Sequence, residues 1–144
     1  MDAFEAVSVP EISPAVGQRY FTLPQANRAL VLVRRIVADI VREYRRLCDF
    51  KDAYEGYEDK GHIVLAEQTR QDYVRIFNHL SELRDELEEI GCELKDYEMG
   101  LVDFPALREG REILLCWKLG EERVEHWHEI DAGYERRQRL SEAV

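Results

Sequence analysis

Apolar residues recur at Ala26, Leu30, Val33, Val37, Ile40, Tyr44 and Leu47, and these steps of four and three lay one stripe along an α-helix. The helix start is legible just ahead of the stripe. Thr22 can cap, Pro24 suits a first-turn position, and Gln25 sits three residues on to complete a capping box. A second stripe at Tyr73, Ile76, Leu80, Leu83, Leu87 and Ile90 shows the three-four alternation of helices crossing at a shallow angle, and Gly91 supplies its stop. Between the stripes, Asp49 to His62 breaks the period with Gly56, Gly61 and many charges, so it reads as a connecting loop with Tyr54 and Tyr57 docked on the helices. The pattern predicts two antiparallel neighbours of roughly 25 residues, each about 37 Å long. Phe77 beside the second stripe, and Val31, Leu32, Ile36 and Val41 beside the first, widen the apolar face. One helix cannot cover so wide a face, so either the C-terminal part of the chain or a second subunit must pack on it.

After Gly91 the period changes. Glu93 to Tyr97 alternates polar and apolar, Gly100 to Pro105 is a short run ending at a proline, and Arg111 to Trp117 is rich in strand formers. Leu119-Gly-Glu-Glu122 suits a tight turn that returns Arg123 to Ile130 beside Arg111 to Trp117 as a hairpin. The expected fold is therefore α+β: a long antiparallel two-helix hairpin over about 23–90, then a small antiparallel sheet of three to four strands over about 92–131. Residues 1–19, with Pro10, Pro14, Gly17 and no stable period, read as a flexible leader before a single domain spanning 20–140.

Composition narrows the roles this fold can take. The chain has 144 residues, 45% hydrophobic and 35% charged, which suits one globular domain. No run approaches the roughly 20 apolar residues of a bilayer span, and Asp2 and Glu5 stand where a secretory signal carries positive charge. Cys48, Cys92 and Cys116 are odd in number, widely spaced and without a Cys-x-x-Cys pair, as expected of reduced thiols in a cytoplasmic protein. A formal net charge of −10 opposes binding to nucleic acid, because affinity there comes from neutralising phosphates. The basic groups at Arg34, Arg35, Arg42, Arg45 and Arg46, and at Arg136, Arg137 and Arg139, read first as solvated surface, and whether Arg136 and Arg137 hold an anion is left open.

Candidate chemistry concentrates in Glu125-His-Trp-His-Glu-Ile-Asp131. In a strand His126 and His128 share one face, about 7 Å apart at the backbone, while Trp127 and Glu129 take the other. Two imidazoles on one face can converge on a metal, with Asp103 and Glu121 supplying carboxylates; such a donor set suits Zn²⁺, Mn²⁺ or Fe²⁺. The plainer reading makes His128 a part-buried histidine bonded to an acid, with Trp127 a core aromatic. The sequence has no Gly-rich phosphate loop, no Gly-x-Ser-x-Gly elbow and no dinucleotide fingerprint. Cys116, between Leu115 and Trp117, reads as a buried, inert thiol.

Tyr20-Phe-Thr-Leu-Pro-Gln-Ala-Asn27, Glu93-Leu-Lys-Asp96, Gly100-Leu-Val-Asp-Phe-Pro105, Leu115-Cys-Trp117, Gly120-Glu121, Trp127-His-Glu129 and Gly133 occur in this order. Together they resemble the uncharacterised bacterial family of domain of unknown function 2203, from Tyr20 to Leu140. The resemblance implies no established reaction, only a metal-binding-related association. Its motifs fall on Asp103, Glu121, His128 and Glu129, and His126 lies outside them, which turns the two-histidine site into a site of one histidine and several carboxylates. Where the family usually reads Gly-Phe-x-Gly-Arg, this chain has Gly133-Tyr-Glu-Arg-Arg137. Two expectations follow. One is a metal site of His128, Asp103, Glu121 and Glu129. The other is an interaction module that uses the hairpin to form a homo-oligomer or to dock a protein partner, with no nucleic-acid or membrane partner.

Overall fold

The computed structural model describes residues 19–141, so the expected leader, up to residue 18, lies outside the described residues. Helix α1 spans Leu23–Asp59 and α2 spans Ile63–Ile90. The capping box at Thr22 and Gln25 is formed, and Gly91 ends α2 in the left-handed conformation at φ 109°. The predicted loop at Asp49 to His62 is corrected: α1 continues through to Asp59, and only Lys60 to His62 connect the helices. Phe50 and Tyr54 pack on the core, and Lys51 pairs with Glu55 one turn on. Packing and i,i+4 pairing there outweigh the cost of about 1 kcal/mol for Gly56 inside a helix.

Five strands follow, β1 Glu93–Asp96, β2 Leu101–Arg108, β3 Arg111–Lys118, β4 His126–Glu129 and β5 Gln138–Arg139, forming an antiparallel meander in chain order. The sheet thus has one strand more than expected, because β5 adds to the free edge of β4. Strand β2 also runs through Pro105 rather than ending there. The Pro105 carbonyl accepts the Phe21 N–H at 2.7 Å on the edge that β1 leaves open, so the nitrogen that lacks a proton faces that same edge and no bond to β3 is lost.

The inner face of the sheet, with Val102, Phe104, Ala106, Ile113, Leu115, Trp117 and Trp127, packs on the two helix stripes as one core. Leu30, Val33, Ile36, Val41, Ile76 and Leu83 are all buried in the core shared with the sheet, so the sheet covers most of the apolar face of the hairpin, while Val31 and Leu32 stay exposed. Phe21 meets Phe104 edge-on at 5.3 Å, and Tyr44 stacks on Tyr97 at 5.6 Å. Among the described residues, no helix is long and apolar enough to cross a membrane.

Candidate metal centre

The outer face of the sheet carries polar groups in an unusual place. Glu109 and Gly110 form the β2–β3 turn, both at positive φ (53° and 75°), the backbone of a two-residue hairpin. That turn sets Asp103 opposite Cys116, and the β3–β4 register sets Cys116 opposite His126. His128, one step along β4 on the same face, reaches over β3 toward Asp103.

Asp103, Cys116 and His128 are all buried, with side-chain donor atoms within 4.8 Å of one another. Their burial on a face turned away from the helices comes from the segment after β4. Ile130, Gly133 and Tyr134 line a cleft over Asp103 and His128, and β5 then pairs back onto β4. Arg137 fastens this segment, with two bonds to the Glu121 carboxylate at 3.0 and 2.5 Å and its guanidinium stacked 4.5 Å from the Tyr134 ring. Arg137 also interacts with the Cys116 thiol.

The orientation of His128 is set from both ends. Its Nδ1–H donates to the Glu129 carbonyl at 2.7 Å, which turns Nε2 to within 3.1 Å of both Asp103 oxygens. Burial by itself lowers the imidazole pKa, but the bonds to Asp103 and Cys116, the Asp103 charge and the Glu129 carbonyl outweigh it and push the group up to about 10. The ring therefore has one fixed donor and one nitrogen facing a carboxylate and a thiol, which can either share a proton with Asp103 or, once deprotonated, act as a ligand.

The structure brings together two of the four residues singled out from sequence, Asp103 and His128. Glu121 lies apart: its carboxylate is bonded to Arg137 and accepts the Lys118 N–H at 2.8 Å. Those contacts hold its pKa below the usual carboxylate range even though burial alone raises it. Glu129 takes the opposite face, as strand alternation requires, and its side chain pairs with Arg111 at 2.8 Å. Its contribution to the cluster is the backbone carbonyl. His126 shares the outer face with His128, yet its buried Nδ1 has no hydrogen-bond partner among the described residues and points toward Glu121 at 3.9 Å.

Cys116, expected from sequence to be an inert thiol, is the third member of the cluster. Spacing along one strand does not reveal it, because its proximity to Asp103 is a cross-strand relation. The signal in the sequence is Glu109-Gly110: a two-residue turn there pairs Arg108 with Arg111 and, counting back, Asp103 with Cys116. Glu-Gly is a weaker turn signature than Asn-Gly or Asp-Gly, too weak to fix the register by itself.

The family model described as "Uncharacterized conserved protein (DUF2203)" matches residues 19–140. No curated protein and no solved structure matches the chain.

Proposed function

We propose that this chain, which belongs to the DUF2203 family of uncharacterized conserved proteins, binds a divalent metal through Asp103, Cys116 and His128. One observation carries the reading: the Nδ1–H bond to the Glu129 carbonyl leaves Nε2 as the outward nitrogen, beside a carboxylate and a thiol that are equally buried. A ligating histidine commonly donates its other N–H to a backbone carbonyl in this way, which fixes both tautomer and ring plane. Ligand atoms bonded to one tetrahedral ion lie about 3–4 Å apart, and the 3.1 Å between Nε2 and each Asp103 oxygen falls at that spacing. Of the metals considered from sequence, a set of thiolate, imidazole and carboxylate favours Zn²⁺ or Fe²⁺ over Mn²⁺. Three protein ligands leave a fourth position, and the cleft bordered by Asp103 and His128 supplies the room for it.

The test is elemental analysis of the full chain purified without chelator, beside Asp103→Asn, Cys116→Ser and His128→Gln variants whose circular dichroism remains native. Near-stoichiometric metal in the parent protein and its loss from all three variants supports the reading. A parent protein that is metal-free and takes up none of the three metals overturns it, and leaves His128 and Asp103 as a buried ion pair.

A second reading, self-association or partner docking through the hairpin, has one observation behind it. At the hairpin tip Ile63 and Val64 are 80% and 70% exposed, and Leu65 beside them is also exposed. Sedimentation of the parent protein and of an Ile63→Asp, Val64→Asp double variant decides it: a monomer in both cases rules out self-association at the tip.

A further inference from the structure

The cleft above the cluster has a composition of its own. It measures about 180 Å³, below the roughly 300–1,000 Å³ of sites for drug-sized ligands, so its occupant is small. Asp103 and His128 line it, while Cys116 does not. Leu101, Leu114 and Ile130 make the walls, and Lys95 and Tyr134 bring the polar atoms.

Those polar atoms are donors with capacity to spare. Lys118, the cross-strand partner of Leu101, donates from Nζ to the Tyr134 hydroxyl oxygen at 3.5 Å and forms no ion pair among the described residues. With that oxygen occupied as an acceptor, the Tyr134 O–H is free to donate. Lys95 spends one of its three N–H bonds on Glu93 at 2.8 Å, its one ion pair among the described residues. The donors call for an anion, and the three aliphatic walls call for an apolar body, which distinguishes an organic acid from inorganic phosphate.

We infer that the cleft binds a short-chain aliphatic carboxylate over the open position of the Asp103–Cys116–His128 site, its charge met by Lys95 and Tyr134 and its chain by Leu101, Leu114 and Ile130. This inference rests on the metal reading above and adds the ligand class to it. Metal bound by one thiolate and one carboxylate is formally neutral and Glu93 balances Lys95, so Lys118, bonded to Tyr134 and without an ion pair among the described residues, leaves the rim net positive and favours an anion. Gly133, at φ 78°, turns the chain at the cleft rim, and a Cβ at that position would meet no atom within 4 Å, so the rim is uncrowded.

The experiment uses the full chain loaded with Zn²⁺ and uniformly labelled with ¹⁵N, titrated with butyrate and, separately, with butyramide and inorganic phosphate. Binding of butyrate that shifts the amides of Lys95, Leu101, Gly133 and Tyr134 is expected, at least tenfold tighter than either control. Lys95→Gln and Tyr134→Phe, each retaining the metal, should weaken butyrate at least tenfold. Metal uptake with no butyrate response, with butyramide or phosphate bound equally well, or with full affinity in both variants overturns this inference while the metal reading stands. A chain that takes up no metal overturns both, so the two failures are told apart by the metal content alone.

Discussion

The Nε2 atom of His128 stands 3.1 Å from both carboxylate oxygens of Asp103, although the two residues occupy strands β4 and β2, which are not neighbours in the sheet. Strands two places apart are separated by about 9.6 Å, and the long side chain of His128 closes that gap by reaching diagonally over β3, from its own partner Leu114 toward Cys116, the partner of Asp103. The cluster exists because three strands are in register.

Removing the Asp103 carboxylate from the metal-free protein leaves a buried imidazole without its counter-charge. Asp103→Ala should destabilise the chain by about 3–5 kcal/mol, as measured by urea unfolding in the presence of a chelator. A loss under 1 kcal/mol would show that the pair contributes no more than an exposed one.

The same pair gives the metal-free protein an alkaline limb. The folded His128 pKa, about 10, exceeds the unfolded value near 6.5, so folding binds the proton. The stabilisation is complete below pH 6.5, declines above it, and is gone once pH passes 10. Unfolding free energies of the chelator-treated protein between pH 6 and 10.5 should fall with pH, and Asp103→Asn should flatten that fall. A flat profile in the parent protein contradicts the shift.

Metal content should distinguish the cross-strand site from the one read along the chain. Glu129→Ala is expected to keep full metal, because that residue offers only its carbonyl, and to lose about 0.2–1 kcal/mol for its exposed pair with Arg111. Cys116→Ser is expected to lower metal affinity at least tenfold. The reverse pattern, in a competition assay with a chromophoric chelator, would return the site to the carboxylates.

Between the helices, Glu43 is buried, with Arg46 at 3.0 Å and the His79 ring at 3.2 Å. Burial raises its pKa, but the bonds to Arg46 and His79 and their charges pull it below the ordinary 4.5. A lowered folded pKa means that this stabilisation is present above pH 4.5 and is lost as pH falls through the folded value. Glu43→Gln should cost about 1–3 kcal/mol at pH 7 and should reduce the steepness of acid unfolding. Equal acid limbs in variant and parent would refute this.

Gly100 tests the junction of helix and sheet. It sits at φ 70°, and a Cβ there would come within 2.9 Å of both the Leu119 Cβ and the Val37 Cγ1. Gly100→Ala should lower stability by about 1–3 kcal/mol in thermal or urea unfolding, with the separation of β2 from α1 as the origin. Unchanged stability would mean that α1 yields at Val37.

Local chemistry was sufficient for the hairpin. The capping box at Thr22, the two apolar stripes and the stop at Gly91 each involve residues within one or two turns of each other, and all three are present. It failed at Asp49 to His62 because glycine and charge are weak evidence against a helix when Phe50 and Tyr54 have a core to pack on. It failed at β5, two exposed residues whose only reason to be a strand is the edge of β4.

The sequence by itself determined the α+β order, the helix start and stop, and the alternation that places His126 and His128 on one face and Glu129 on the other, and it singled out Asp103 and His128, two of the three residues that meet in the buried cluster. Tertiary structure decided which polar residues meet. Cys116 entered the cluster, while Glu121 went to Arg137 and Glu129 to Arg111. Periodicity reports the direction of a side chain from its own backbone. A site shared by three strands depends on register, and register is set by turns and by the packing of the whole sheet on the helices.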